Sequence, residues 1–496
     1  MSALTITLPQ SLYTAAQIRE AEHEAIHRGQ CSQYDLVEQA GSAAMAILDS
    51  LEKSDCRTLV LVGKGNNGAD ALVLSRLLLA RGNTPRVALL AAGKTPEHAQ
   101  ALKAYVNAGG EIENFDEDLL AEAEVIVDGM LGTGVAGELS EPLKQCIEAV
   151  NEQRAWVLSL DLPSGVNANT GNIIPVAIEA DVTLCFGGLK QGLFTSRARH
   201  FAGTVMYASV GLGEILAETQ PAAQRVDGGF LKDLLGRRAR DSHKGKSGKV
   251  TVMGGNYGMA GAVRLAGEAC LRAGAGLVTV ISRPEHQLTV NANRPELMFW
   301  GCELVDMEVY LRLGWADVLV LGPGLGKDDW AYNLYKAVGL SDKPCVLDAD
   351  ALNLLSKEPC RQVNRVLTPH PGEAARLLGV TITEVEANRF DAVRKLHQIF
   401  GGVVLLKGAG TLIYDGNMLI VAPVGNPGLA SGGCGDVLSG IIAALMAQGL
   451  ETMTATVAGV VIHGEAADLA AKDGERGMLA SDLMPFIRQL VNSDLI

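Results

Sequence analysis

Gly425-Asn-Pro-Gly428-Leu-Ala-Ser431-Gly432-Gly433-Cys434-Gly435-Asp436 runs directly into the apolar stretch Val437–Gln448. Three of the four residues before Asp436 are glycine, so bare backbone amides gather where a helix begins. Free amides at a helix N-terminus favour negative charge, including charge that develops on a transferring phosphate. Asp436, in the first turn, is placed to take a proton from an attacking hydroxyl. Aspartate in a first turn is ordinary helix chemistry. The glycine density before it is not.

Outward from this stretch, the second half of the chain alternates short apolar runs with helical ones. Strands are expected at Lys249–Met253, Leu277–Ile281, Asp317–Leu321, Pro344–Asp348 and Val403–Lys407, with a β-rich patch over 411–422 and helices from Cys434 to the end. Glycine-rich or polar turns follow four of these runs, Gly254-Gly255-Asn-Tyr-Gly258, Gly322-Pro-Gly324-Leu-Gly326, Asp348-Ala-Asp350-Ala-Leu-Asn353 and Lys407-Gly408-Ala409-Gly410-Thr411, and Thr368-Pro-His370-Pro-Gly372-Glu373 follows the run Arg365-Val-Leu367. No Walker A loop occurs. The run Arg237–Lys249 (RRARDSHKGKSGK) is strongly basic and precedes the strand that ends at Gly254, so it is expected to face phosphates.

The first half reads as two helices, 14–27 and 33–53, then strand Arg57–Gly63, a helix over 69–81, and strands Arg86–Leu90, Glu124–Asp128 and Trp156–Asp161. Gly63-Lys-Gly65-Asn-Asn-Gly68 satisfies G-x-G-x-x-G between strand and helix. The next strand ends Leu90-Ala-Ala-Gly93 without the acid that holds a ribose, so NAD in the usual hydride-transfer pose is not expected. Ligands of open α/β sheets bind beyond the carboxyl ends of strands, where Asn67, Asp70, Asp128, Asp161 and Ser164 are expected to converge. One strand-end aspartate is often only a helix cap. Several oxygen-rich turns together, without His or Cys, suit a hard, weakly held cation better than zinc.

The whole is therefore an α/β protein of two domains, 1–218 and 225–496, with a linker expected within the polar stretch Gly211–Gly229. The 496 residues carry a formal charge of −14, which argues against a general nucleic-acid or anionic-membrane binder. Nine scattered cysteines without Cys-x-x-Cys argue against a disulfide framework or a structural zinc site and for a reducing compartment. The amino terminus lacks a signal-peptide pattern and no apolar run reaches membrane-spanning length, so a cytoplasmic location is expected.

GKGNNGAD, VDGMLGTG and SLDLPSG, in that order, resemble the NAD(P)H-hydrate epimerase domain, which implies a Rossmann-like fold. Where that family reads Asn-Asn-Gly-Gly-Asp-Gly, this chain has Ala69 and Ala71. If the glycine at position 69 provides backbone approach or a positive φ, alanine costs about 1 kcal/mol or crowds the substrate. G-x-G-D after a glycine-rich loop resembles the ribokinase-like fold. With the turns at Gly322–Gly326, Asp348–Asn353, Thr368–Glu373 and Lys407–Thr411 it resembles the ADP/ATP-dependent NAD(P)H-hydrate dehydratases. The domain order resembles the bifunctional NAD(P)H-hydrate repair family.

The resemblance implies that the amino-terminal domain interconverts R and S hydrates of NADH and NADPH. The carboxy-terminal domain would then phosphorylate the S hydrate from ADP and eliminate phosphate. It assigns hydrate binding in the first domain to Asn66, Asn67, Gly68, Ala69, Asp70, Gly132, Thr133, Gly134, Val135, Ala136, Gly137, Glu138 and Asp161, with Asp161 handling a proton. Potassium falls to Asn67, Asp128 and Ser164. In the second domain Ala262, Gly324, His370 and Asp436 face the hydrate, with Asp436 as base. Lys407, Gly408, Ala409, Gly410, Thr411 and Gly435 hold the nucleotide, with Mg2+. Cys434 is expected to be a small buried filler. A homo-oligomer is expected. The alternative is a vitamin-precursor or sugar kinase of ribokinase-like fold, its amino-terminal half a non-catalytic binding module.

Overall fold

In the computed structural model, which describes residues 8–134, 137–232 and 234–492, the chain divides into two compact units, Met1–Arg225 and Val226–Ile496. Each is built on a parallel sheet whose central strands are buried on both faces, which is why they read as unbroken apolar runs.

The first unit carries seven parallel strands in the order Glu113–Asn114, Arg86–Leu89, Thr58–Val62, Val125–Gly129, Trp156–Leu160, Val182–Phe186, Thr204–Ala208. Strand order reverses direction between Thr58–Val62 and Val125–Gly129. That switch point opens a crevice beyond the carboxyl ends of the strands. Helix Ala15–His27 begins at a Thr14/Gln17 capping box and Gln33–Ser50 at a Ser32/Asp35 one.

Two sequence readings change here. The helix expected from residue 69 begins at Asn66, so Asn66 and Asn67 sit in its first turn. The expected linker is ordered. Gly213–Glu218 is a helix with Ile215 and Leu216 buried, and strand Ala223–Arg225 pairs antiparallel with Ser11–Tyr13. Apolar residues inside the polar stretch are what fix it.

The second unit runs nine strands in the order Met298–Gly301, Leu277–Ser282, Lys249–Met253, Val318–Leu321, Cys345–Leu347, Arg365–Leu367, Val403–Leu406, Thr411–Tyr414, Leu419–Ala422. Pairing is parallel as far as Val403–Leu406 and antiparallel beyond it. Helices Ala260–Arg272 and Cys434–Ala447 pack together on one face. The order again reverses, here between Lys249–Met253 and Val318–Leu321. Among the described residues no helix is long and apolar enough to cross a membrane.

Candidate active sites

A cavity of about 560 Å³ occupies the crevice of the first unit. Strand Thr58–Val62 delivers Lys64, Asn66, Asn67 and Asp70 to its wall, and strand Val125–Gly129 delivers Gly132, Thr133 and Gly134. Glu138 and Asp161 complete the expected set. Gly68 and Ala69 lie behind the wall in the buried packing of the helix, Gly137 is exposed, and Val135 and Ala136 fall outside the described residues. Ala69 and Ala71 are helical and fully buried, and a Cβ at Gly129 would come within 2.5 Å of the Ala71 methyl. Both alanines thus belong to the core. Neither needs a positive φ, and neither methyl reaches the cavity.

Asp161 faces the cavity from a left-handed turn (φ 64°), a conformation costly for a non-glycine residue and frequent where a side chain must be aimed. Its carboxylate is ion-paired with Lys190, which is almost fully buried and also donates to the Phe186 carbonyl at 2.7 Å. Burial works against charge on Lys190, but the Asp161 carboxylate outweighs it and holds the ammonium above its ordinary pKa. Glu22 and Asp70 face the same pair. Burial raises both carboxyls, and the neighbouring Asp161 charge raises them further. The wall therefore carries a fixed ion pair beside two carboxyls raised above their ordinary pKa.

Beneath the wall, Asp128 is fully buried and accepts four hydrogen bonds, from Ser164 Oγ (2.5 Å), Ser164 N (2.8 Å), Ser159 Oγ (2.8 Å) and Met130 N (3.2 Å). Ser164 Oγ accepts from Leu131 N, and Asn67 Nδ2 donates to Leu131 O, so the three residues share one network. Asn67 Oδ1 is buried without a partner. An all-oxygen set with one orphaned amide oxygen fits a monovalent hard cation. Among the described residues no cluster of His, Cys, Asp and Glu could hold a transition metal.

In the second unit the glycine-rich stretch does become a helix start. Gly433 is the N-cap with φ 92°, where a Cβ would also come 2.5 Å from Leu265. A Cβ on Gly435 would lie 3.3 Å from Lys407 Nζ and 3.6 Å from Asp348 Oδ2, so this bare turn fronts directly onto a buried ion pair. Asp348 accepts from Lys407 Nζ at 2.9 Å and from the Thr368 and Ser439 hydroxyls at 2.8 Å each. Burial opposes its charge, yet Lys407 and these donors hold its carboxyl below the ordinary range. Asp436 has no such partner: burial, and then the Asp348 charge, push it up to about 7. Of two neighbouring carboxylates, one has the lysine and the other is left able to exchange a proton near neutrality.

Gly324 packs against Ala262, with a Cβ there meeting that of Ala262 at 3.1 Å, and its carbonyl accepts from Asn256 N at 2.7 Å. His370 is the N-cap of helix Pro371–Leu378. Its Nδ1 accepts from Gly372 N at 3.0 Å, which leaves the proton on Nε2. Burial and the nearby Lys407 and Arg376 lower its pKa and favour the neutral ring. Lys407 closes strand Val403–Leu406, and Gly408–Gly410 turn the chain into Thr411–Tyr414. These positions gather the expected hydrate and nucleotide residues around one strand edge. Cys434 is buried, as expected, with Sγ 3.3 Å from Ser431 Oγ. The basic run Arg237–Lys249 is not at this edge: Lys249 begins the strand whose opposite end leads to Gly254, so the run lies at the far side of the sheet.

Residues 250–489 match the family model described as NAD(P)H-hydrate dehydratase, and residues 33–192 the one described as YjeF-related protein N-terminus. The bifunctional NAD(P)H-hydrate repair enzyme Nnr of Coxiella burnetii is 46% identical over 97% of this chain and 99% of its own. The chain belongs to the bifunctional NAD(P)H-hydrate repair enzyme family. The relative of the same name from Escherichia coli is 43% identical over 99% of this chain and 96% of its own. Among solved structures, a ribokinase-like superfamily protein of Enterococcus faecalis aligns with a TM-score of 0.51 at 29% identity, covering 54% of this chain and 95% of that one. Family membership along the whole length displaces the vitamin-kinase alternative.

Several residues that shape these sites escape a reading of motifs. Lys190 is the sole charged residue in 182–196, a signal that a buried partner waits for it. Glu22 sits on a helix that looks like plain surface. Glu373, in TPHPGE, donates nothing but caps His370 N at 2.9 Å, and burial lifts it to about 7. Arg389, buried beneath the Lys407–Thr411 turn, donates to the Leu406 and Lys407 carbonyls at 3.2 and 3.1 Å. His463 is buried below Cys434, and burial lowers it to about 4, so it is a neutral support of the helix start.

Proposed function

We propose that this chain repairs hydrated NADH and NADPH, epimerising R and S hydrates in the first unit and dehydrating the S hydrate with ADP in the second. The observation that carries the reading is Asp436, unpaired and titrating near neutrality at the start of a glycine-rich helix, beside the Lys407–Asp348 ion pair.

In the second unit Asp436 takes the proton as the hydrate's hydroxyl oxygen attacks the terminal phosphorus of ADP and AMP leaves. The amides of Gly432–Gly435 and the Lys407 ammonium face the charge that spreads over the phosphoryl oxygens. Phosphate then departs from ring carbon 6 while ring carbon 5 loses a proton to water, and the electrons of that C–H bond restore the ring double bond. Ala262, Gly324 and neutral His370 place the ring, and Lys407–Thr411 with Gly435 hold the nucleotide. Mg2+ bound with the nucleotide would supply charge neutralisation on its phosphates.

In the first unit the hydrate lies in the 560 Å³ cavity, with Lys64, Arg19 and the amides at Asn66–Asn67 toward its pyrophosphate. Asp161, fixed by Lys190, handles the proton at the epimerised centre, and Asp70, its carboxyl raised by burial and by the Asp161 charge, stands beside it. Asn67, Asp128 and Ser164 would hold a potassium ion that fixes the two turns by charge. Nine free cysteines support a reducing, cytoplasmic setting, and we expect a homo-oligomer.

The test is recovery of reduced-nicotinamide absorbance from mixed R and S NADH hydrates with magnesium, potassium and either ADP or ATP. Fast recovery of the whole pool with ADP is expected. No recovery with either nucleotide would overturn the reading.

A further inference from the structure

The basic run that fails to reach the active site has a place of its own. Arg237, Arg238 and Arg240 line a cavity of about 830 Å³ in the second unit, together with Arg272, Arg294 and Arg488. Six arginines thus meet two glutamates, Glu268 and Glu296, in a chain whose net charge is −14. The cavity lies where helices Ala260–Arg272 and Cys434–Ala447 end, whereas Ala262 and Asp436 stand at their beginnings. It is separate from both sites described above.

Cations at helix carboxyl ends are common, because they complement the dipole and the last carbonyls. Here that need is already met. The Gly274 carbonyl accepts from Arg238, and the Ala273 carbonyl accepts from Gln448 Nε2 at 3.0 Å. Glu268 is engaged by Arg294 and, at 3.7 Å, by Arg272. Arg237, Arg240 and Arg488 remain with no ion pair or side-chain hydrogen bond among the described residues, and Glu296 pairs with none of them. Arg237 and Arg240 come from a loop, where no helix end calls for them. Like charges gathered around a concavity repel one another, and a multivalent anion relieves that repulsion.

From this geometry we infer that the cavity is a binding site for an oligophosphate, a chain of phosphates either free or carried by a nucleoside. Guanidinium forks bind phosphate oxygens bidentately, and several around one hollow match a multiply charged chain better than a single carboxylate. The volume accommodates three linked phosphates, and among the described residues no aromatic side chain lines the wall to stack a base. The phosphate chain is therefore the recognised part.

The experiment is calorimetric titration of the full chain with inorganic tripolyphosphate and, separately, with ATP, both without magnesium. The proteins are wild type, Arg237→Ala/Arg240→Ala/Arg488→Ala, and Lys407→Met. All three arginines are exposed, so the triple variant is expected to keep its melting temperature and its dehydratase activity. Tripolyphosphate should bind saturably to wild type, roughly tenfold or more weakly to the triple variant, and unchanged to Lys407→Met; added salt should weaken it. ATP should lose its cavity binding by the same factor as tripolyphosphate. Absence of saturable tripolyphosphate binding, equal binding by the triple variant, loss in Lys407→Met alone, or preference for single-stranded RNA over tripolyphosphate would each overturn the proposal.

Discussion

The two units place their sites at the same address, the carboxyl ends of parallel strands at a switch point, yet they handle charge in opposite ways. In the first, the aspartate that faces the cavity, Asp161, is the one that holds the lysine, and the carboxyls around it are raised above their ordinary pKa. In the second, Lys407 is given to the deeper Asp348, and Asp436 at the surface of the site is left unpaired at about 7. A common fold position thus does not dictate protonation. The location of one buried lysine does. The first arrangement suits proton exchange on a bound ring, and the second suits a base that must be free before phosphoryl transfer.

Replacing Asp436, the proposed base, gives the largest expected difference between the units. Asp436→Asn should lower ADP-dependent dehydration by roughly 10²–10⁴-fold, the usual range for a positioned base. Epimerisation, followed by chromatographic exchange of R and S hydrates, should be unchanged. A variant that loses both activities would show that the sites are not separate.

Breaking the first unit's pair should cost stability as well as activity. Lys190→Met leaves the Asp161 carboxylate with the Phe186 amide but without its counter-charge, a loss of about 3–5 kcal/mol in denaturant unfolding. Asp161→Asn/Lys190→Met, which removes both charges, should recover much of that stability while epimerisation stays lost. Recovery of epimerisation in the double variant would remove the pair from the chemistry.

The contrast also has a pH signature. The second unit's kcat/KM should rise as pH increases through about 7, the value to which Asp436 is pushed, because the base must be deprotonated. Stability carries the opposite sign. Asp436 and Glu373 keep protons up to about 7 in the folded chain and lose them near 4 when unfolded, so the folded state binds more protons in that window. Unfolding free energy should therefore fall as pH rises from about 4 to 7, and Asp436→Asn should flatten the slope.

The smallest effect concerns the alanines that break the family's glycine pattern. Since both are helical and buried, Ala69→Gly and Ala71→Gly should each destabilise by about 1 kcal/mol in thermal or chemical unfolding, without raising epimerisation. A faster epimerase would mean that the methyl groups do crowd the substrate.

Much of this was legible in the chain. The strand runs ending at Met253, Asp128 and Asp161, and the glycine-rich start of the helix at Cys434, mark both sheets because doubly buried strands must be apolar and turns at their ends must expose amides. Val182–Phe186 and Thr204–Ala208 were harder, since only short elements, Leu189–Lys190, the 3-10 turn Gln191–Phe194 and the helix Ala198–Phe201, separate them and the alternation of strand and long helix breaks. Arg365–Leu367 hides behind an arginine that reads as surface but is buried, donating to the Phe400 carbonyl at 2.6 Å. Site chemistry follows the same division. Asp436 and Asp161 sit in motifs, whereas Lys190 and Glu22 come from segments far along the chain and join the cavity only through the fold. The basic run Arg237–Lys249 misled, because nearness in sequence to a strand does not say which end of the strand it faces.

The most direct test of two chemically separate sites in one chain is the time course of absorbance recovery from mixed R and S NADH hydrates with ADP, catalysed by Asp161→Asn/Lys190→Met. The expected trace rises at the wild-type rate until the S form is spent, then creeps at the spontaneous epimerisation rate. Complete recovery at the wild-type rate would contradict the assignment of epimerisation to the Asp161–Lys190 cavity.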